Sequence, residues 1–117
     1  MSAFDDRERA FEAKFQLDEE LAFKVNARRD KLLGLWVAEQ IGLTGQQAEV
    51  YARSVVYSDL ADSHHDAMIA KLRGDLEKVE VYKTDRELRA EMDKLLLSAR
   101  DQIAAELAEG QSPSALG

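Results

Sequence analysis

Cysteine is absent from the 117 residues, and proline occurs once, at Pro113. The first absence excludes disulfides, thiolate nucleophiles and thiolate metal ligands, while leaving the compartment open. The second, with only six glycines, leaves few interruptions and predicts long helical elements. Long apolar runs are also missing. The most membrane-like, Leu32 to Ala38, falls far short of the roughly 20 residues that a span needs. DDRER follows Phe4 directly, so no apolar leader is present and a cytoplasmic protein is expected. A positive balance is lacking as well: the formal charge of −7 sets up a field that repels nucleic-acid phosphates and anionic lipid.

What remains is 45% hydrophobic and 33% charged, the composition of a water-soluble helical protein long enough for one modest core. Three positions carry a helix-start signal, a hydroxyl followed three residues later by an acceptor: Thr44 with Gln47, Ser63 with Asp66, and Thr84 with Glu87. Gly42 supplies a left-handed stop before the first of them. Together they divide the chain into four helices, ending near Ile41 and then running about 45–62, 64–79 and 85–109. Leu21, Val25, Leu32, Leu35 and Trp36 are the expected buried face of the first. Ala48, Tyr51, Ala52, Val55, Val56 and Leu60 serve the second; Ile69, Leu72, Leu76 and Val79 the third; Leu88, Met92, Leu95, Leu96, Ala99, Ile103 and Leu107 the fourth. All have the helical period. The one strand-like stretch, Val79 to Tyr82, lies between two helical patterns and reads as a helix end and connection. The fold class is therefore all-α, a small four-helix bundle over residues 19–109, with a turn-rich flexible tail over 110–117.

The stretch from Phe4 to Ile41 contains no proline and one glycine, Gly34. As one continuous helix it would be roughly 57 Å long, far longer than its neighbours, so its first part overhangs the core. Dividing it near Asp18 leaves residues 1–18 as an N-terminal arm, expected to be disordered in the free protein because isolated helices near 15 residues are marginal in water. All four phenylalanines lie between positions 4 and 23. Phe4, Phe11 and Phe15 fall within roughly 40° of one another on a helical wheel. Aromatic bulk concentrated outside the core-forming region points to a partner's groove.

Other candidate sites are weaker. His64 and His65 point about 100° apart on a helix and lack a third ligand at helical spacing. Asp59, Asp62 and Asp66 lack the glycine-bearing loop of a calcium site. No metal and no cofactor are assigned. Arg28, Arg29 and Lys31 form the one basic cluster, where a phosphate ligand competes with ion pairing to Asp30 and Glu20. No phosphate-binding glycine loop or activated nucleophile is present, which argues against an enzyme. Gly34 beside Trp36 predicts close approach of a second helix.

FDDRERAFEAKF (Phe4 to Phe15), ARRDKLLGLWVAEQIGLTG (Ala27 to Gly45), LRGDLEKVEV, and the segment beginning REL and continuing to MDKLLLSARDQIAAE resemble small alphaproteobacterial proteins that include the zeta inhibitor subunit of the F-type ATP synthase. The resemblance implies a four-helix protein that binds the catalytic head and blocks ATP hydrolysis. Its N-terminal arm would insert as a helix at an interface of catalytic and noncatalytic subunits, reaching towards the rotor stalk. The implied partners are the alpha, beta and gamma subunits, and the implied location is peripheral to the inner membrane. Carried over by residue, Phe4, Asp5, Asp6, Arg7, Glu8, Arg9, Ala10, Phe11, Glu12, Lys14 and Phe15 would make the contact. The competing reading is a small ligand- or nucleotide-sensing module using Arg28, Arg29 or Lys31.

Overall fold

A computed structural model describes residues 18–114 and 116. The arm residues Phe4, Asp5, Asp6, Arg7, Glu8, Arg9, Ala10, Phe11, Glu12, Lys14 and Phe15 lie outside the described residues. The described chain forms four helices, α1 (Glu19–Gln40), α2 (Gly45–Asp59), α3 (Asp66–Glu77) and α4 (Asp85–Ala108), and no strand.

Each helix end has a local cause. Asp18 takes extended backbone angles, and its carboxylate accepts from the Leu21 amide at 3.1 Å, so α1 starts at Glu19 and does not continue helically through Asp18. Gly42, with φ +84°, closes α1 while the Leu43 amide reaches back to the Ala38 carbonyl at 2.9 Å. The capping box at Thr84 and Glu87 forms with both bonds present. At the other two expected starts the hydroxyl makes no cap bond. The start of α3 lies at Asp66 because Asp62, not Ser63, takes the orphan amides, accepting from His64 at 2.9 Å and Ala67 at 3.0 Å. The α3 stop uses Glu80 at φ +61°, with Val81 donating to the Leu76 carbonyl at 3.0 Å.

α1 is the central helix, packed on α2, α4 and, less extensively, α3. Burial therefore does not follow the single stripe expected for it. Leu21 and Val25 are buried, but Leu33 and Val37 fill the core while Leu32, Leu35 and Trp36 are only half-buried. A helix covered from more than one side buries small and branched residues on several faces, and choosing its bulkiest side chains selects the wrong phase. The larger core cluster joins Leu33 and Val37 to Val55, Met68, Ile69, Leu72, Leu76, Leu88 and Met92. A smaller one, Leu21 and Val25 against Ala99 and Ile103, holds the base of α1 on α4. Val79 and Leu60, expected inside, are exposed.

Gly34 sits at the α1–α2 crossing. A Cβ there would lie 2.8 Å from the Ala52 Cα and 3.2 Å from the Val55 Cβ, so the glycine permits the close approach expected for it. The tail segment from Gly110, expected to fray, lies back along α1: Pro113 is buried, and the Ser114 carbonyl accepts from Arg28 at 2.8 Å.

Candidate functional site

The basic cluster of α1 separates into two unlike environments. Arg28 faces α4, where its guanidinium makes a two-pronged pair with Glu106 at 3.0 Å on each side and donates also to Gln102 and Ser114. Lys31 pairs with Glu49 at 3.2 Å and donates to the Leu116 carbonyl at 2.8 Å. These two cations converge on backbone carbonyls of the C-terminal tail. Arg29 lies elsewhere, among acids. Its Nε donates to Asp30 at 2.9 Å, and its NH2 lies a longer 3.5 Å from Asp59. Glu20, expected to serve this cluster, pairs with Lys24 instead.

Around Arg29 a buried ionisable group assembles from three parts of the chain. Arg29 and Asp30 come from α1, Asp59 is the last residue of α2, and His65 caps α3 with a left-handed φ of 64°. The His65 Nδ1 lies 2.8 Å from both Asp59 oxygens. Asp30 and Asp59 are 4% and 9% exposed, so neither carboxyl has the water that would ordinarily solvate a charge. Burial first, and then the hydrogen bond shared with Asp59, push the Asp30 carboxyl up to about 8, against the pull of Arg29. Burial thus favours the protonated form of the Asp30 carboxyl. The group opens onto a cleft of about 480 Å³ whose rim includes Phe23, Leu60 and Ala61. At its mouth the Ala67 and His64 amides hold the Asp62 carboxyl below the usual carboxylate range.

Among the described residues no three His, Cys, Asp or Glu side chains gather as a metal site would require. His65 turns its ring to Asp59, while the His64 carbonyl accepts from Arg89 at 2.8 Å. No helix among them is long and apolar enough to cross a membrane. A second, shallow groove of about 520 Å³ runs along α2 and is lined by Leu43, Gln46, Gln47, Val50, Tyr51 and Ser54. The Tyr51 hydroxyl donates to Asp75 at 2.7 Å. Burial and this carboxylate neighbour raise its phenol above the ordinary range, so it stays a donor.

The family model described as ATPase inhibitor subunit zeta matches residues 1–102. The chain belongs to that family. The match spans the arm, α1, α2, α3 and most of α4, and stops before the tail that Arg28 and Lys31 hold. A search of curated proteins finds no match. The description of that family is of an ATPase inhibitor subunit, a regulatory role.

Sequence reasoning placed Arg29 in a candidate site and missed Asp59 as its partner and His65 as the partner of Asp59. They lie six residues apart across a turn, and nothing in their spacing indicates that Asp59 meets α1 and His65 in turn meets Asp59. The adjacent Arg29 and Asp30 gave one usable signal: two opposite charges near the middle of a helix that must be covered on more than one side.

Proposed function

We infer that this chain inhibits ATP hydrolysis by an F-type ATP synthase, with the N-terminal arm as the inhibitory element and the bundle as its support. The arm would insert as a helix at an interface between catalytic and noncatalytic subunits of the head, near the rotor stalk. This makes the protein a regulator in trans, cytoplasmic and peripheral to the inner membrane when bound. The observation that carries the reading is the family match, which includes the arm. A physical point supports it. The core clusters of the described residues contain no phenylalanine, and Phe23 is 52% exposed. Phe4, Phe11 and Phe15, in the arm, would serve as anchors of the aromatic kind that dominates binding energies.

The ligand-sensing alternative gains nothing from the basic cluster. Arg28, Arg29 and Lys31 are each paired within the chain and do not meet on one surface.

The test is hydrolysis by purified ATP synthase head with increasing amounts of the full chain, then of a chain lacking residues 1–17. That deletion keeps the Asp18 cap. Inhibition by the full chain, its loss on deletion and an unchanged thermal melt are expected. Undiminished inhibition by the shortened chain refutes the arm as the inhibitory element.

A further inference from the structure

The segment after Gly110 sits on the bundle as a ligand sits in a site. Gly110, at φ +76°, turns the chain at the end of α4, and the last backbone bond of that cap runs from the Gln111 amide to the Glu106 carbonyl at 2.9 Å. Residues 111–114 are not helical, and two side chains of α1 take over from the cap. Arg28 donates to the Ser114 carbonyl and Lys31 to the Leu116 carbonyl, each at 2.8 Å. Residues three apart on a helix are neighbours, so the two cations stand side by side and meet acceptors two residues apart. Pro113 is buried and Leu116 half-buried, while Ser112 and Ser114 are exposed. Main-chain carbonyls thus fix the register of the segment, and the proline anchors it.

The charges at this face determine what it can hold. Arg28 is matched by the two-pronged bond to Glu106, and Lys31 by Glu49 at 3.2 Å, so each cation already has its counter-charge. An anion arriving there would meet two carboxylates, whereas a peptide carbonyl adds no charge. The guanidinium still needs one more acceptor. Arg28 is 5% exposed; its NH1 is used by Gln102 and Glu106 and its NH2 by Glu106 and Ser114. Its Nε is buried with no partner among the described residues. Without the Ser114 carbonyl a second N–H of the same group would go unpaired, so the face selects a neutral acceptor that can reach Arg28.

We propose that the face of α1 carrying Arg28 and Lys31 is a binding site for a neutral, proline-anchored peptide segment, and that the chain's own tail is its resident ligand. The tail, tethered at Gly110, closes the site in cis. A partner's segment of the same chemistry enters only by displacing it. This inference is independent of the inhibitory reading and concerns the bundle alone.

The experiment is nuclear magnetic resonance on the full chain and on a chain ending at Glu109. The shorter chain keeps both core clusters, whose members and flanking apolar residues all lie between Leu21 and Leu107. In the full chain the Ser114 and Leu116 amides should have order parameters of about 0.85, like the helices, and Lys31→Met should lower them below about 0.6 with Leu33 and Leu72 unchanged. The shorter chain should bind an acetylated and amidated peptide of sequence GQSPSALG saturably, with shifts centred on Arg28 and Lys31. Since a short tether supplies an effective concentration in the millimolar range and the tail is seated, half-saturation is expected at about 1 mM or below. Alanine in place of the peptide's proline should weaken binding, and inorganic phosphate at about tenfold higher concentration should leave the peptide bound. A tail that is mobile in the wild-type chain overturns the proposal, as do unchanged order parameters in Lys31→Met. Shifts that fail to saturate in the folded shorter chain overturn it too, and displacement by phosphate would make this an anion site instead. Should the shorter chain not fold, the order parameters of the full chain decide alone.

Discussion

Replacing Gly34 by alanine tests whether the α1–α2 crossing is as tight as its geometry requires. The new methyl would stand 2.8 Å from the Ala52 Cα, and backbone cannot rotate away as a side-chain tip can. Carbon atoms pack at about 3.5–4.0 Å, so α2 must retreat locally by roughly 0.7–1.2 Å. Ala52 and Val55 are both fully buried, and a gap of that size forfeits a quarter to a half of the dispersion well for the atoms that line it. Overpacking of this kind costs about 2–3 kcal/mol, from which the helix preference of alanine over glycine returns about 1 kcal/mol. The net loss is about 1–2 kcal/mol. With an unfolding entropy of roughly 0.2 kcal/mol/K for a domain of this size, Tm falls by about 5–10 °C. Gly74 supplies the internal control: it lies within α3, and a Cβ there meets nothing within 4 Å. Gly74→Ala should gain about 0.5–1 kcal/mol from propensity alone. Thermal and urea unfolding followed by far-ultraviolet circular dichroism measures both. A Gly34→Ala protein as stable as wild type, beside a stabilised Gly74→Ala, would show that the crossing yields without cost and would refute the packing argument.

Glu80→Gly should raise stability by about 1 kcal/mol in the same unfolding assay, because Glu80 holds the left-handed stop of α3 where only glycine is unstrained. Asp30→Asn should stabilise the fold at pH 7 by about 2–4 kcal/mol. The raised Asp30 pKa, about 8, means the unfolded chain ionises first, so this residue's stabilising contribution is complete below about pH 4 and declines by up to about 1.4 kcal/mol per pH unit towards pH 8. The difference between variant and wild type in urea unfolding across that window should widen with pH, and a constant difference would contradict the assignment. Arg28→Ala should cost about 2 kcal/mol, since it strands a mostly buried Glu106, and it should also make the segment after Gly110 sensitive to limited proteolysis. Phe11→Ala and Phe15→Ala should each weaken inhibition of the ATP synthase head by about 2 kcal/mol, read as a shift in the half-inhibitory concentration, with the Tm of the free chain unchanged.

The four helices were legible because their starts and stops rest on local chemistry. Thr84 with Glu87 forms the reciprocal cap that its spacing predicts, and Gly42 makes the left-handed turn that only a glycine takes without strain. Where two residues competed for one job, the sequence was ambiguous. Asp62 won over Ser63 because a carboxylate two residues before His64 reaches two amides at once, which moves the start of α3 to Asp66. The α1 face was misread for a different reason. Period and bulk together identify a half-covered helix, but α1 is covered from several sides, and there even Ala27 and Ala38 are buried. The site was legible only in part. Arg29 stood out as charge in a helix interior, whereas its partner Asp59, and His65 behind Asp59, depend on how α2 ends against α1, which no local pattern encodes.

The central helix carries its buried charges where they set position rather than strength. Replacing a buried ion pair by apolar residues of similar volume is commonly neutral or better for stability, so the Arg28–Glu106 and Arg29–Asp30–Asp59 contacts are weak evidence of a need for stability. They differ from the aliphatic seams beside them in another respect. Leu21 and Val25 against Ala99 and Ile103 form a contact that a one-turn slide leaves apolar on both sides. The two-pronged bond of Arg28 to Glu106 has a single register, and the same slide separates it by a helical rise of about 5.4 Å. Arg29, on the adjacent position, reaches the end of α2 through a single contact of 3.5 Å to Asp59 while its Nε stays on Asp30 of its own helix. The Arg28 fork on α4, with the weaker Arg29 contact on α2, thus defines the height of α1 within the bundle. That height also sets where Asp18 stands, and Asp18, the N-cap of α1, is the last residue of the 1–18 arm.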